Sequence, residues 1–276
     1  MRNLRSYCLN LLQSINAKLE GENKRVVELQ TPIRTMFIGA DVQHTKNNRL
    51  GKLPSIAAVV ASMNSDCTKT TQRASRQWPK PGRQSEESIL LLKDMVEQLL
   101  VAYKEHNKGE LPQEIVFYRD GVDDGQFERI IEEEVDALRQ AITNVYPKNT
   151  QSPEIICIVV KKRHNTRLFY RSASSRISNV ESGVVVDGEI VHDQSNYPNF
   201  FLNSHKPLLG TNKIGNYVVL INEPQYPLED LEEMTFSLCH TDQRTDRNTS
   251  ESIPSILHLA DATADKARQL FTDSSP

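Results

Sequence analysis

The chain is poor in cysteine, has no long apolar run and carries no excess of positive charge, and each shortage removes a class of function. Four cysteines, Cys8, Cys67, Cys157 and Cys239, are scattered over 276 residues without Cys-x-x-Cys spacing. That argues against zinc ribbons and disulfide scaffolds and for separate thiols in a reducing compartment. No stretch approaches the roughly 18 apolar residues of a membrane span, and the N-terminus has no apolar signal segment, so a cytoplasmic protein is expected, or a nuclear one. The formal charge of −3 gives no global signature of nucleic-acid binding. Any such binding must come from basic residues clustered locally. The 38% apolar and 25% charged residues suit a globular chain with one large core or two small ones.

Two apolar runs end in a carboxylate. Thr35-Met-Phe-Ile-Gly-Ala-Asp41 is followed by Val-Gln-His44, and Glu114-Ile-Val-Phe-Tyr-Arg-Asp120 is followed by Gly121. Either aspartate alone reads as a turn cap. If the two strands lie side by side, the carboxylates meet and repel, and a divalent metal is the usual remedy.

Around them the periodicity predicts a helix over 2–20 closed by Gly21, then a polar link over 22–32. Residues 55–63 read as a buried strand and 68–77 as a solvent-facing one, making a three-strand meander. A helix is expected to open at Ser85 with Ile89, Leu92, Val96, Leu99 and Tyr103 on its face. A second is expected from Phe127 to Val145, with Glu132, Glu133 and Glu134 on its solvated side. Glu154–Val160 is a continuous apolar strand of the kind that lies in the middle of a parallel sheet. Further strands are expected over 183–187 and 217–221, and helices over 228–240 and 253–271. The order β-β-β-α-β-α-β is that of an α/β chain with a mixed central sheet. After Val160 come Lys161-Lys162-Arg163-His164-Asn-Thr-Arg167, then Phe169, Tyr170, Arg171 and Arg176. Such a run is often only a solvated loop, but basic residues mixed with aromatics also suit phosphate contacts and base stacking.

Five blocks together resemble the Piwi domain of the Argonaute family: Phe-Ile-Gly-Ala-Asp41-Val-x-His44, Lys-x-Pro54-Ser-Ile-Ala-Ala-Val-Val60-x-Ser-Met63, Phe-Tyr-Arg-Asp120-Gly-Val-x-x-Gly-Gln-Phe127, Val-Val-x-Lys-Arg163-His-x-Thr-Arg-Leu-Phe169 and Leu-Cys-His-Thr241. The resemblance spans roughly residues 30–271. It implies an RNase H-like fold over 31–276, with residues 1–30 as the C-terminal end of a Mid domain and its linker. It implies that the rest of the Mid domain, the PAZ and N-terminal domains, and the family's last few dozen residues lie outside this chain.

The resemblance also implies a function: small guide RNA directs binding and endonucleolytic cleavage of complementary target RNA in gene silencing, with two magnesium ions, or manganese, held by carboxylates. The alternative is a non-cleaving guide and target RNA-binding module that silences through partner proteins of a silencing complex. Asp41 and Asp120 match the first and third catalytic positions. A gapless count from Met95 places the second at Glu87, with Glu86 adjacent. The fourth, counted through Ser252-Ile-Pro254 and Ala264-x-x-Ala267-Arg268, falls on Asp261 where animal members commonly have histidine; His258 lies three residues earlier. Asp41, Asp120 and Asp261 are the implied metal ligands. Lys162, Arg163, His164 and Arg167 are the implied RNA contacts. Lys18, Arg244 and Lys266 are the implied guide 5′-phosphate contacts, with Ser14 at a usual lysine and Asp242 at a usual tyrosine.

Overall fold

A computed structural model describes residues 2–27, 29, 31, 33–44, 54–79, 87–171, 173–191, 196–207, 209–244 and 252–272. In chain order the helices and strands are α1 (Arg2–Lys18), β1 (Thr35–Gln43), β2 (Ser55–Ser62), β3 (Thr70–Gln77), α2 (Leu92–His106), β4 (Glu114–Asp120), α3 (Phe127–Arg129), α4 (Asp136–Val145), β5 (Glu154–Lys161), β6 (Phe169–Arg171), β7 (Ile177–Asn179), β8 (Val184–Val186), β9 (Asn199–Asn203), β10 (Gly215–Asn222), α5 (Leu228–Leu238) and α6 (Ser255–Thr272).

β1, β2 and β3 form the expected antiparallel meander. β4 then lies parallel to β1 and β5 parallel to β4, each reached by a helical crossover. The sheet order is β3-β2-β1-β4-β5-β10-β9-β8, with β6 and β7 paired separately. The continuously apolar β5 sits inside the sheet as expected, but it is parallel only to β4; its other neighbour, β10, is antiparallel, so the sheet is mixed there and not parallel throughout. The architecture is the mixed sheet flanked by helices that the RNase H-like expectation described.

Alternation along the strands divides the core. Ile38, Phe117 and Val159 face α2 and α4, where Leu92, Val96, Leu99, Leu138 and Ile142 pack on them. Phe37, Tyr118, Ile158 and Val160 face the other way, toward Leu231, Leu238, Ile256, Leu257 and Ala260 of α5 and α6. α6 crosses β1 at Gly39 with no room to spare. A β-carbon there would stand 2.8 Å from the Ile256 carbonyl oxygen. The small faces of α6 and β1 therefore fix how close the helix comes to the end of the strand.

Several expectations need correction. α1 closes through Glu20, at φ +63°, with the Gly21 amide donating to the Asn16 carbonyl at 2.8 Å. The left-handed residue is thus Glu20, one position before the expected glycine. Residues 80–86 lie outside the described set, Ser85 and Glu86 among them; α2 begins at Leu92, and the chain over Glu87–Leu91 leads into it as bends and turns. The second long helix is interrupted by a π-helical turn over Ile130–Val135. That turn admits an extra residue and rotates Glu134 inward, so Glu134 is 1% exposed and not on the solvated side with Glu132 and Glu133. β6, β7 and β9 were not anticipated.

Candidate metal centre and nucleic-acid face

The parallel pairing of β1 and β4 ends with Ala40 opposite Arg119, so the next residues, Asp41 and Asp120, emerge on neighbouring strands. Both share the face occupied by α6, since Phe37 and Tyr118 of the same strand phases contact that helix layer. α6 contributes Asp261. Gln43, two residues beyond Asp41 and on the same side of β1, donates from its amide to Asp261 Oδ1 at 2.8 Å and to the Asp261 carbonyl at 3.2 Å. Gly121, at φ +82°, turns the chain away directly after Asp120; a β-carbon there would sit 3.9 Å from Asp41 Oδ1. Three carboxylates from β1, β4 and α6 thus share one corner of the sheet.

Burial and mutual repulsion act on them together. Desolvation, followed by the charge of Asp120, pushes Asp41 up to about 6. Asp120 is also raised, mainly by burial, although Lys162 pulls the other way. Lys162 follows β5 and reaches back so that its ammonium contacts Asp120 Oδ2. Burial alone would depress that ammonium; Asp120, helped by Asp41 and Asp261, outweighs it and holds Lys162 above its ordinary range. Lys162, expected at the RNA, therefore stands in the carboxylate site.

As donors the residues fit a hard divalent cation: three carboxylates, with Asp120 Oδ1 buried and without a hydrogen-bond partner among the described residues. The arrangement is nonetheless not closed. Among the described residues no three His, Cys, Asp or Glu side chains are disposed to hold a metal ion as they stand. Glu87 is turned elsewhere. Its carboxylate accepts from His44 Nε2 at 2.6 Å, and Ser55 Oγ bonds His44 Nδ1 at 2.8 Å. His258, three residues earlier on α6, acts by its charge on His205 and Asp242.

The opposite face supports the corner from behind. Arg119 and Glu134 are both buried and paired, Nε to Oε2 at 3.0 Å. Arg119 Nη1 contacts the Asp120 carbonyl and Nη2 the Glu87 carbonyl. Glu134 Oε1 in turn accepts from the Ile89 amide at 3.1 Å. One ion pair therefore ties the chain at Asp120, the segment at Glu87–Ile89 and the π-helical turn together. A charged residue inside the apolar strand Glu114–Asp120 was the available sign that a buried counter-ion must exist.

The basic run after β5 divides by role. His164 Nε2 donates to the Ile214 carbonyl at 2.8 Å and its ring packs edge-on against Phe201, 5.2 Å between centroids, which fastens the run to β9 and β10. Burial holds His164 below the ordinary imidazole range. Arg163, Arg167, Phe169, Tyr170 and Arg171 are exposed. Arg167 folds back to donate to the His164 and Thr166 carbonyls.

A separate pocket of about 390 Å³ lies between the end of α1, β3 and residues 241–244, lined by Lys18, Lys69, Asp242 and Arg244. Gln243 joins its walls by accepting from the Asn23 amide at 2.8 Å. Within it Asp242 takes Arg244 in a two-pronged pair at 3.0 and 2.9 Å. Burial would raise Asp242, but Arg244 outweighs it and holds the carboxyl below its usual range. Lys69 is tied to the Glu20 carbonyl. Lys266 sits on an exposed stretch of α6 and does not line this pocket.

The Piwi domain family model matches residues 1–272. The chain is 36% identical over 274 residues to protein argonaute 3 of Oryza sativa subsp. japonica, covering 96% of this chain and 23% of that protein. It is 35% identical over 272 residues to protein argonaute-2 of Drosophila melanogaster, covering 96% of this chain and 21% of that one. The chain therefore spans less than a quarter of the length of these relatives. Among solved structures, Kluyveromyces polysporus Argonaute with a guide RNA superposes with a TM-score of 0.79 at 27% identity, over 95% of this chain and 32% of that chain.

Proposed function

Because the chain belongs to the Piwi domain family of Argonaute proteins, we propose that it serves a protein that binds a small guide RNA and cuts the complementary target RNA. The observation that carries this reading is the meeting of buried Asp41 and Asp120 with half-buried Asp261, from β1, β4 and α6, at one corner of the sheet. Guide binding rests on the likeness to an Argonaute solved with its guide RNA. Residues 1–30 belong, on this reading, to the end of a preceding Mid domain, and the pocket at Lys18 and Arg244 takes the guide 5′-phosphate.

The chain's own residues divide the work. Asp41, Asp120 and Asp261, which act on one another electrostatically, are the carboxylates that would hold the cations. Magnesium, or manganese in its place, supplies when bound the positive charge that activates water and stabilises the leaving oxygen of a phosphodiester. Glu87 completes the carboxylate set once released from His44. Arg163, Arg167, Phe169 and Tyr170 offer charge to the phosphate backbone and faces for stacking. Rigid placement matters because misplacement by about 1 Å costs on the order of a hundredfold in rate.

A second reading, a module that holds guide and target without cutting and silences through partner proteins, is favoured by two contacts: Glu87 lies on His44, and Lys162 lies on Asp120. Target cleavage by the guide-loaded full-length protein separates the fourth-ligand assignments. Asp261→Ala is expected to abolish cleavage in magnesium and His258→Ala to retain it. The reverse pattern would move the fourth position to His258.

A further inference from the structure

We infer that Lys162 is a resident counter-cation of the carboxylate corner, holding it together until a divalent cation expels the ammonium, and so raising the cation concentration needed to fill it. This rests on the metal-site reading above and adds to it a residue that works against filling.

The geometry has three parts. Lys162 comes from the strand next to β4: Val160 pairs with Asp120, and Lys162, two residues on, returns to the same face. Its ammonium contacts Asp120 Oδ2, on a carboxylate 2% exposed, while its own side chain is 26% exposed and so retains a path to solvent. Asp120 Oδ1, the other oxygen of that carboxylate, is buried without a hydrogen-bond partner among the described residues. One oxygen is thus occupied by the lysine and one is left for a ligand.

Two buried carboxylates with a half-buried third cannot crowd together uncompensated, and beside the buried Arg119 a flexible ammonium is the compensation this fold supplies. A divalent ion placed on Asp120 meets a positive charge already in contact with it. The two cations repel across one carboxylate and compete for its charge, which opposes filling through Oδ1 and drives Lys162 outward as the ion enters. Compensation of the carboxylates accounts for a basic residue being placed here rather than on the outer face with Arg163 and Arg167.

The test is calorimetric titration of the 276-residue chain with MgCl2 and with MnCl2 at about pH 8, above the ordinary carboxylate range. Lys162→Met keeps the length of the side chain and removes its charge; it is expected to bind either ion about tenfold more tightly. Lys162→Arg, which keeps the charge, is expected to stay near the unmodified affinity. Equal or weaker binding by Lys162→Met overturns the inference while leaving the metal site standing. Absence of binding in every form overturns the metal site itself. Should Lys162→Met not fold, the unmodified chain suffices. Acylation of Lys162 by an amine-reactive ester, read by mass spectrometry, is expected to rise severalfold on adding MnCl2, and an unchanged rate overturns the inference.

Discussion

Arg119 and Glu134 show at the scale of single residues how much depends on a pair that touches no ligand. Both side chains are buried, and together they fasten the chain at Asp120, Glu87 and Ile89. Burial lowers and Glu134 raises the Arg119 guanidinium, and Glu134 prevails. Removing one partner of such a pair strands the other. Glu134→Gln is therefore expected to destabilise the chain by about 3–5 kcal/mol, whereas Glu132→Gln is expected to stay within about 0.5 kcal/mol. Urea denaturation of both variants distinguishes the buried residue from its solvated neighbour; equal, small effects would mean that Glu134 is not the counter-ion. Asp41 and Asp120 were legible because each closes an apolar run, a place where a charge needs a cause. Asp261 was not legible from its own surroundings on α6 and came from counting along the family resemblance. Glu134 was misread because Glu132-Glu133-Glu134 looks uniform in sequence, and only the π-helical turn separates the third from the others.

At the scale of elements, the contact between α6 and β1 decides whether Asp261 can reach Asp41. The helix approaches because Gly39 has no side chain where the Ile256 backbone passes, and because Ala260 and Ala264 are small. Gly39→Ala is expected to cost about 1–3 kcal/mol by overpacking and to weaken cation binding with it, since the helix must lift. Thermal melting and manganese titration of the same variant check both effects. Loss of stability with unchanged manganese affinity would detach α6 from the site. The end of α5 makes a second contact with the end of β9. His205 is stacked on His240 at 4.3 Å and bonded through Nδ1 to Ser204 Oγ, with His258 and Lys24 also facing it. Burial, then those positive neighbours, lowers His205 to about 4 from an ordinary 6.5. A depressed folded pKa means that the stabilisation is complete above about 6.5 and is lost as pH falls through about 4, to a limit of roughly 3 kcal/mol. Melting temperatures across that window should fall more steeply for the unmodified chain than for His205→Gln; parallel curves would show that His205 does not carry the pH dependence. The long strands and helices were visible in their periodicity. β6, β7 and β9 were not, because three to five residues give no period, and Asn-Phe-Phe-Leu-Asn of β9 is specified by pairing with β10 and β8 rather than by its own pattern.

For the whole molecule, the sheet order brings the carboxylate corner and the basic run after β5 to one end. β1, β4 and β5 run parallel and finish together, so Asp41, Asp120 and Lys162 emerge at the same edge, and the exposed residues after β5 continue from it. The β-β-β-α-β-α-β order accommodates this arrangement, since parallel neighbours joined by helices end on the same side, but the meeting of Asp41 and Asp120 was expected only on the condition that their strands lie side by side, and Lys162 was expected at the RNA. What the order did not contain was the state of the site: Lys162 on Asp120 and Glu87 on His44 depend on side chains chosen by charge after the backbone is set. Among the described residues no helix is long and apolar enough to cross a membrane. The central claim is that this corner cuts RNA. It is tested most directly by incubating the guide-loaded full-length protein with a matched RNA target in magnesium, alongside Asp120→Ala. The unmodified protein is expected to cleave the target, and Asp120→Ala to bind it with similar affinity and leave it whole. An unmodified protein that binds the target and never cuts it, in magnesium or in manganese, would contradict the claim.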